Sequence, residues 1–311
     1  MSLPLGAVAR RIGLRVLGGV AVMWAAATAA FLALHAMPGK VEDILAGESR
    51  YPGLQEALAR QWGLDKPLPV QYADFLGRLV RGDLGTSYSM RQPVVDVIGP
   101  QVGPTVQLAL VAGGLALVIS LAAAVATAGR PRWRGLATGV ELVGSSLPVF
   151  WVGILLLMVF AFSLDLLPVA GAESWHALVL PGITLALPTA GLLSQVLRDQ
   201  MEKALDAPFT TTARARGISD AAVRVRHALR HAVLPVLSLA GWLVGTLLGG
   251  AVITEHVFSR PGLGTVTLNA VTSKDIPVVL AVVLIAAAVY VVVSTLVDVI
   301  ALLTDPRLRA A

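Results

Sequence analysis

The chain has 311 residues, of which 56% are hydrophobic and 14% charged, and its mean hydropathy is +0.77. Soluble domains contain about 45–50% apolar and about 25% charged residues, so this composition argues against a soluble enzyme and favours a membrane protein. The net charge of +5 and the pI of about 10.0 could indicate a nucleic-acid partner, depending on where the basic residues fall.

Six apolar runs are each long enough to cross about 30 Å of hydrocarbon. They lie at 16–37, 105–128, 139–163, 178–197, 234–256 and 277–303. Pro148, Pro181 and Pro188 interrupt the third and fourth runs, and such kinks are tolerated where neighbouring helices cover the freed carbonyls. The sequence therefore predicts an all-α polytopic membrane protein with six transmembrane helices.

The first run also resembles a signal peptide, because Arg10, Arg11 and Arg15 precede it. Its apolar stretch is longer than the roughly 7–15 residues of a signal-peptide core, which favours an uncleaved anchor.

The basic residues are unevenly divided between the two sides of the predicted membrane. Fifteen of the 24 lie on one side with five acidic residues, and seven of these fifteen fall between Arg198 and Arg230. In the 38–104 segment on the other side, seven basic residues meet eight acidic ones. The positive-inside rule then places both termini in the cytoplasm, and topology explains the pI without a nucleic-acid partner.

This topology divides the chain into four parts. They are the N-terminus with the first helix (1–37), an extracytoplasmic lobe (38–103), a membrane core (104–303) containing a cytoplasmic loop (201–233), and a cytoplasmic tail (304–311). Apolar residues recur at helical spacing in the lobe, at Leu54, Ala57 and Leu58 and at Val70, Ala73, Leu76 and Val80. The lobe is predicted to be small and helical.

Catalytic chemistry finds little support in the sequence. There is no cysteine, and none of the four lysines is followed by Ser or Thr, so the chain has no cysteine nucleophile and no ATP-binding P-loop. Ser145 and Ser146 could serve an intramembrane serine protease, but the five histidines fall near or outside the span ends. A Ser-Pro kink is the favoured interpretation of these serines.

Two further polar features allow a functional interpretation. His227 and His231 would share a helix face and could bind a metal, but the arginines around them favour an interfacial helix instead. Glu141 and Asp298 lie at the cytoplasmic ends of spans, where pairing with local arginines or capping is favoured over ion coupling.

The fifth span carries Gly241, Gly245 and Gly249 at four-residue intervals, which gives a smooth face for close helix contact. The contact could be with another subunit, where it would line a translocation path, or with a helix of the same chain.

Four groups of residues, taken in order, resemble the permease subunits of bacterial ABC importers, specifically the dipeptide/oligopeptide/nickel branch of DppB/OppB-like proteins. They are Arg81-Gly82-Asp83-Leu84-Gly85; the loop motif Thr211-Thr212-Ala213-Arg214-Ala215-Arg216-Gly217 with His227-Ala228-Leu229-Arg230-His231 and Leu234-Pro235; Val257-Phe258-Ser259-Arg260-Pro261-Gly262-Leu263-Gly264; and Asp305-Pro306-Arg307. The resemblance covers nearly the whole chain. It departs from the family pattern where threonines replace the usual Glu-Ala of the loop and where Arg260 stands in place of an aromatic residue.

The resemblance implies a type I ABC importer (MetI-like) permease fold in a bacterial cell membrane. It implies a non-catalytic subunit that forms half of a path for dipeptides or oligopeptides, paired with a second homologous permease, two cytoplasmic ATPases that bind ATP and Mg²⁺, and an extracytoplasmic binding protein or lipoprotein. No cofactor is expected in this chain. A stand-alone secondary carrier or channel is the alternative.

The resemblance also implies roles for three groups of residues. The coupling segment, 206–217, would contact an ATPase through Ala207, Phe209, Thr211, Thr212, Ala213, Arg214, Arg216 and Gly217. The glycines at 241, 245 and 249 would line the path or the permease interface. A loop facing the binding protein would comprise Arg260, Pro261, Gly262 and Gly264.

Overall fold

The computed structural model describes residues 5–39, 41–46, 53–237 and 239–304. Within these ranges every regular element is a helix, apart from one antiparallel bridge between Thr86 and Pro93. The predicted all-α class is confirmed. The motif Asp305-Pro306-Arg307 lies outside the described residues.

Fourteen α-helices follow one another along the described chain. They are α1 (Leu5–Ala36), α2 (Val41–Ala46), α3 (Leu54–Trp62), α4 (Leu68–Val80), α5 (Val94–Thr127), α6 (Pro131–Ser146), α7 (Val149–Leu156), α8 (Val179–Leu205), α9 (Pro208–Ala215), α10 (Asp220–Ala222), α11 (Leu229–Leu237), α12 (Ala240–Val257), α13 (Leu263–Thr272) and α14 (Ile276–Thr304). Leu157–Ser163 and Val223–Ala228 are π-helical, and Trp175–Leu178 is a 3₁₀ turn.

Four helical segments of the described chain are long and apolar enough to cross a membrane, or five if α6 and the helix from Val149 to Ser163 form one bent span. The four are Leu17–Ala36, Val94–Thr127, Trp175–Leu205 and Ile276–Ile300. They correspond to the first, second, fourth and sixth predicted spans. The fifth predicted span, 234–256, is divided between α11 and α12 on either side of residue 238, which is not described.

The third predicted span departs most from expectation. Its two helices meet at 100°, a much sharper change of direction than the kink that Pro148 predicts. Leu147 has an extended backbone with ψ of 133°, because a proline disfavours the helical conformation in the residue before it, and Pro148 itself has ψ of 134°. The helix therefore ends at Ser146 and restarts in a new direction.

One unit of the structure comprises residues 1–105 and 261–291. Its core joins α1, the start of α5 and α14 through apolar residues that include Phe31, Leu34, Ile98 and Leu280. The helices expected from the spacing at 54–58 and 70–80 are present as α3 and α4. The predicted boundary at residue 103 falls within α5, and the division into lobe and membrane core stays a prediction.

The second unit comprises residues 106–260 and 292–311 and is organised around α8. This helix packs against α6, α7, α11 and α12. Small residues let the backbones approach closely: a Cβ added to Gly191 would lie 2.8 Å from the carbonyl oxygen of Glu141, and one added to Gly250 would lie 2.5 Å from Leu185. The long helix α8 is thus held from several sides.

Candidate functional site

The coupling segment lies directly beyond the end of α8. Asp206 ends that helix, Ala207 is extended, and Pro208 begins α9 at the position where proline is well tolerated. Two inward residues, Thr210 and Ala213, hold α9 in place and are 0% and 6% exposed. The Thr210 hydroxyl lies 2.7 Å from the carbonyl oxygens of both Leu205 and Ala207, and so ties the start of α9 to the end of α8.

The other face of α9 is open. Thr211, Thr212, Arg214 and Arg216 are exposed, and Phe209 is 37% exposed with its ring centroid 4.7 Å from that of His231. Six of the eight residues predicted for coupling therefore point outward or lie at the turn, whereas Ala213 is buried and Ala207 is half-buried. The residues predicted for coupling therefore fall into two groups, a buried or half-buried pair that packs against the rest of the chain and an exposed face.

Gly217 ends α9 in the left-handed conformation, with φ of +80°. Its N–H donates to the carbonyl of Arg214 at 2.9 Å, and the N–H of Ile218 donates to that of Ala213 at 3.3 Å. This pair of bonds defines a Schellman cap, which glycine favours because it has no Cβ. Ile218 and Ala213 share one apolar cluster, a contact that often accompanies this motif.

That apolar cluster lies beneath α9 and belongs to the second unit. It joins the end of α5, the end of α8 and the helix that follows Gly217, through Ala124, Ala128, Leu197, Met201, Ala204, Leu205, Ala213, Val223, Ala228 and Ala232. Ser219 caps the next helix by accepting the N–H of Ala222 at 3.4 Å. The segment is therefore a packed helix-turn-helix, and not a loose loop.

An ion pair joins Arg214 Nε of α9 to a carboxylate oxygen of Asp220 at 3.1 Å, across the Gly217 turn. Their side chains are 44% and 71% exposed, so this pair contributes little to stability. The packing of the turn stabilises the segment more than the charges do.

Glu141 and Arg198 form a buried ion pair between α6 and α8, and they are 7% and 2% exposed. The two guanidinium Nη atoms donate to the two carboxylate oxygens at 2.7 and 2.6 Å, and Nη2 also donates to the Thr138 hydroxyl at 3.1 Å. The predicted pairing of Glu141 with a local arginine is confirmed. The partner was not predicted, because Arg198 lies 57 residues away in sequence.

Two of the three predicted glycines of α12, Gly245 and Gly249, make no close contact within the described chain. A Cβ added to Gly245 or Gly249 would meet no described atom within 4 Å. Both are exposed on one face of α12, together with Trp242 and Ile253. The close contact falls instead on Gly250, and whether the exposed face meets another subunit stays a prediction.

The loop after α12 is built around a buried arginine. Arg260 is 0% exposed; one Nη donates to the carbonyl of Gly171 at 3.3 Å and the other to the side chain of Gln107 at 3.0 Å. Desolvation by burial lowers the pKa of Arg260, and the negative charge of Glu255 partly opposes this shift. The buried side chain of Arg260 therefore holds its loop against Gly171 and Gln107.

Of the residues predicted to face a binding protein, Pro261 is exposed, whereas Arg260, Gly262 and Gly264 are buried. That role stays a prediction, and Pro261 is the residue whose position allows it directly.

Ser145 and His231, which were considered for protease and metal chemistry, make contacts that hold helices together. Ser145 donates to the carbonyl of Leu142 at 3.2 Å and packs where α6 crosses α8 at Gly191. His231 contacts Phe209. Within the described ranges, no three His, Asp or Glu side chains converge as a metal site would require.

Sequence reasoning missed a polar hub in the first unit. The ammonium of Lys274 donates to the carbonyls of Met37, Pro38 and Gly39 just after α1. The neighbouring carboxylate of Asp275 accepts four hydrogen bonds of 2.5–3.1 Å from the 87–89 loop. The sequence signal was a Lys-Asp pair directly before the most apolar run.

Comparison with known proteins agrees with this architecture. A model of the binding-protein-dependent transport system inner membrane component family matches residues 83–310, and a model of the N-terminal part of such membrane components matches residues 8–109. The glutathione transport system permease protein GsiC of Escherichia coli O6:H1 is 34% identical over 297 residues, which cover 95% of this chain and 97% of the relative. The GsiC proteins of Escherichia coli K12 and Salmonella typhimurium are each 33% identical over the same lengths.

The apolar helices and these matches define a polytopic inner-membrane protein. The chain belongs to the family of binding-protein-dependent transport system inner membrane components, and is an ABC importer permease of the DppB-like kind with a MetI-like fold. Proteins of this family are the non-catalytic subunits of ABC transporters.

Proposed function

We propose that the chain forms half of the translocation pathway of an ATP-driven importer for short peptides. A second homologous permease would supply the other half, two cytoplasmic ATPases would bind ATP and Mg²⁺, and an extracytoplasmic binding protein or lipoprotein would deliver the cargo. The observation that carries the proposal is the coupling segment: an exposed face on α9, fastened from beneath to the end of α8.

The contacts of α9 suit it to transmit force. Because α9 is tied to α8 by the Thr210 hydroxyl and the apolar cluster, a displacement of α9 would move the 27-residue α8 with it. The buried pair of Glu141 and Arg198 would pass the motion on to α6. Packed elements of this kind move as rigid bodies, so closure of the ATPases would rock the spans between inward-open and outward-open states.

The exposed face of α12 is the proposed contact with the second permease. Trp242, Gly245, Gly249 and Ile253 form an apolar and small-residue surface, and membrane helices pack closely through such surfaces. In this arrangement the exposed face of α12 would either line the translocation path or form the contact with the second permease.

Short peptides are the proposed cargo because the relatives that match the whole chain are glutathione transport permeases. A path wall with few charges suits cargo with varied side chains, since specificity can then rest with the external binding protein. The proposed orientation places both termini and α9 in the cytoplasm, on the side that carries most of the basic residues.

Cross-linking tests the proposed contact with the ATPase. The sequence has no native cysteine, so Thr212→Cys on the exposed face of α9 introduces a unique thiol. In the complete transporter, a short bifunctional cross-linker is expected to join Cys-substituted position 212 to an ATPase subunit, with a yield that changes when ATP binds.

The matched control is Gln55→Cys, an exposed position on α3 in the predicted extracytoplasmic lobe, which should yield no ATPase adduct. Equal yields at the two positions, or no ATPase adduct at position 212 in an assembled transporter, would refute the coupling role.

A further inference from the structure

We propose that a pocket in the first unit binds the C-terminal residue of a short peptide, holding its free carboxylate with arginines and its apolar side chain on aromatic rings. The inference rests on the proposed peptide import and assigns the chain a cargo contact where the first and last candidate spans meet the helices of the 38–103 segment. The pocket has a volume of about 270 Å³ and lies between α1, α3, α4, the 84–88 loop and the start of α14.

Four aromatic side chains form the apolar wall of the pocket. The rings of Phe31 and Phe75 are stacked with centroids 6.1 Å apart, and those of Trp62 and Tyr88 lie 5.0 Å apart. Aromatic rings offer a large apolar surface with little conformational freedom to lose. This wall would accept an apolar or aromatic side chain.

The rim of the pocket carries excess positive charge. Lys66 donates to Asp74 at 2.7 Å, and this hydrogen bond lowers the pKa of Asp74, so these two charges offset each other. Arg60 and Arg78 also line the pocket and are exposed. A guanidinium binds a carboxylate through two parallel hydrogen bonds, which makes a terminal carboxylate the anion that this rim suits.

Tyr88 supplies a hydroxyl at the same place. The phenol of Tyr88 is protonated near neutral pH, and burial raises its pKa further, to about 12, so its O–H can donate a hydrogen bond to a carboxylate. The backbone N–H of Tyr88 donates to the buried carboxylate of Asp275 at 3.1 Å, and Asp275 also holds Ser87 and Ser89. The polar hub therefore fixes the wall of the pocket before any ligand arrives, which lowers the cost of binding.

The size of the pocket favours a peptide end over a protein surface. Pockets for drug-sized ligands have volumes of about 300–1,000 Å³, so this one suits one or two residues. A stable protein–protein contact buries about 1,200–2,000 Å² and would need far more than this pocket. An acidic side chain of the binding protein is the competing occupant.

The test uses the complete transporter in lipid nanodiscs without its binding protein. The probe is alanyl-4-fluorophenylalanine, whose binding is followed by ¹⁹F NMR, beside the same dipeptide with a C-terminal amide. The free dipeptide is expected to bind at least about tenfold more tightly than the amide, as expected for loss of a hydrogen bond to a charged group. Arg78→Gln should lower the affinity for the free dipeptide by a similar factor, so that the free and amidated dipeptides bind equally.

Tyr88→Phe, which keeps the aromatic ring and removes the hydroxyl, should lower the affinity for the free dipeptide several-fold. The control Arg81→Gln removes the same charge at the end of α4 but outside the pocket, and binding should be unchanged. Equal binding of free and amidated dipeptide, or no effect of Arg78→Gln, would overturn the inference. It would also be overturned if no dipeptide binds while Arg78→Gln weakens docking of the binding protein.

Uptake of the same dipeptide by the wild-type transporter, with ATP and the binding protein present, distinguishes failure of the pocket from failure of the proposed import function. Uptake without binding in the pocket refutes this inference alone. Failure to take up any short peptide refutes the proposed function itself.

Discussion

Replacing Glu141 with alanine is expected to destabilise the chain by about 3–5 kcal/mol, the largest effect we expect from a single substitution. The substitution leaves the guanidinium of Arg198 charged and 2% exposed, with its two bonds to the carboxylate lost. The Thr138 hydroxyl cannot replace a negative charge. The measurement is thermal unfolding of the purified protein in detergent, followed by tryptophan fluorescence.

Two comparisons distinguish loss of the pair from general damage to the membrane protein. Replacing both Glu141 and Arg198 with methionine should recover most of the stability, because apolar pairs of similar volume are often neutral replacements for buried ion pairs. Asp199→Ala removes an exposed acid, 3.9 Å from Arg134, and should change stability by no more than about 0.5 kcal/mol. If Glu141→Ala behaves like Asp199→Ala, the pair is not a structural link between α6 and α8.

Gly217→Val is expected to abolish ATP-driven uptake while leaving the amount of protein in the membrane unchanged. An added Cβ at Gly217 would meet no described atom within 4 Å, so the effect does not come from a clash. It comes from the backbone, because φ of +80° is strongly unfavourable for a β-branched residue and the chain would leave α9 in another direction. The measurement is peptide uptake by proteoliposomes, normalised to the reconstituted protein.

Gly217→Asn is the matched control, since asparagine is the residue that most readily replaces glycine in a left-handed helix cap. It should retain most of the uptake. Equal activity of the valine and asparagine variants would show that the direction of the turn does not matter for coupling.

The apolar pattern predicted much of the fold because a helix that crosses the membrane must be both long and apolar, and both properties can be read from the sequence. Four predicted spans correspond to long apolar helices, and the helical spacing at 54–58 and 70–80 placed α3 and α4. The 100° turn at Pro148 could not be predicted, since a proline interrupts a helix without fixing the angle at which the next helix continues.

Charged residues were harder to predict because their partners are distant in sequence. Arg260 reads as an exposed loop residue, yet its partners Gly171 and Gln107 are 89 and 153 residues away and bury it completely. The coupling segment was easier, because the motif that resembles the permease family, Thr211 to Gly217, is continuous in sequence. Which of its faces is exposed could not be predicted, since that depends on where α5 and α8 end.

Uptake with and without the ATPases tests the central claim most directly. Proteoliposomes containing the two permeases, with ATPases and ATP on one side and the binding protein with peptide on the other, are expected to accumulate peptide. Vesicles that contain the same permeases without ATPases should accumulate none. Peptide uptake by the permeases alone, without ATP, would contradict the account and identify a stand-alone carrier or channel.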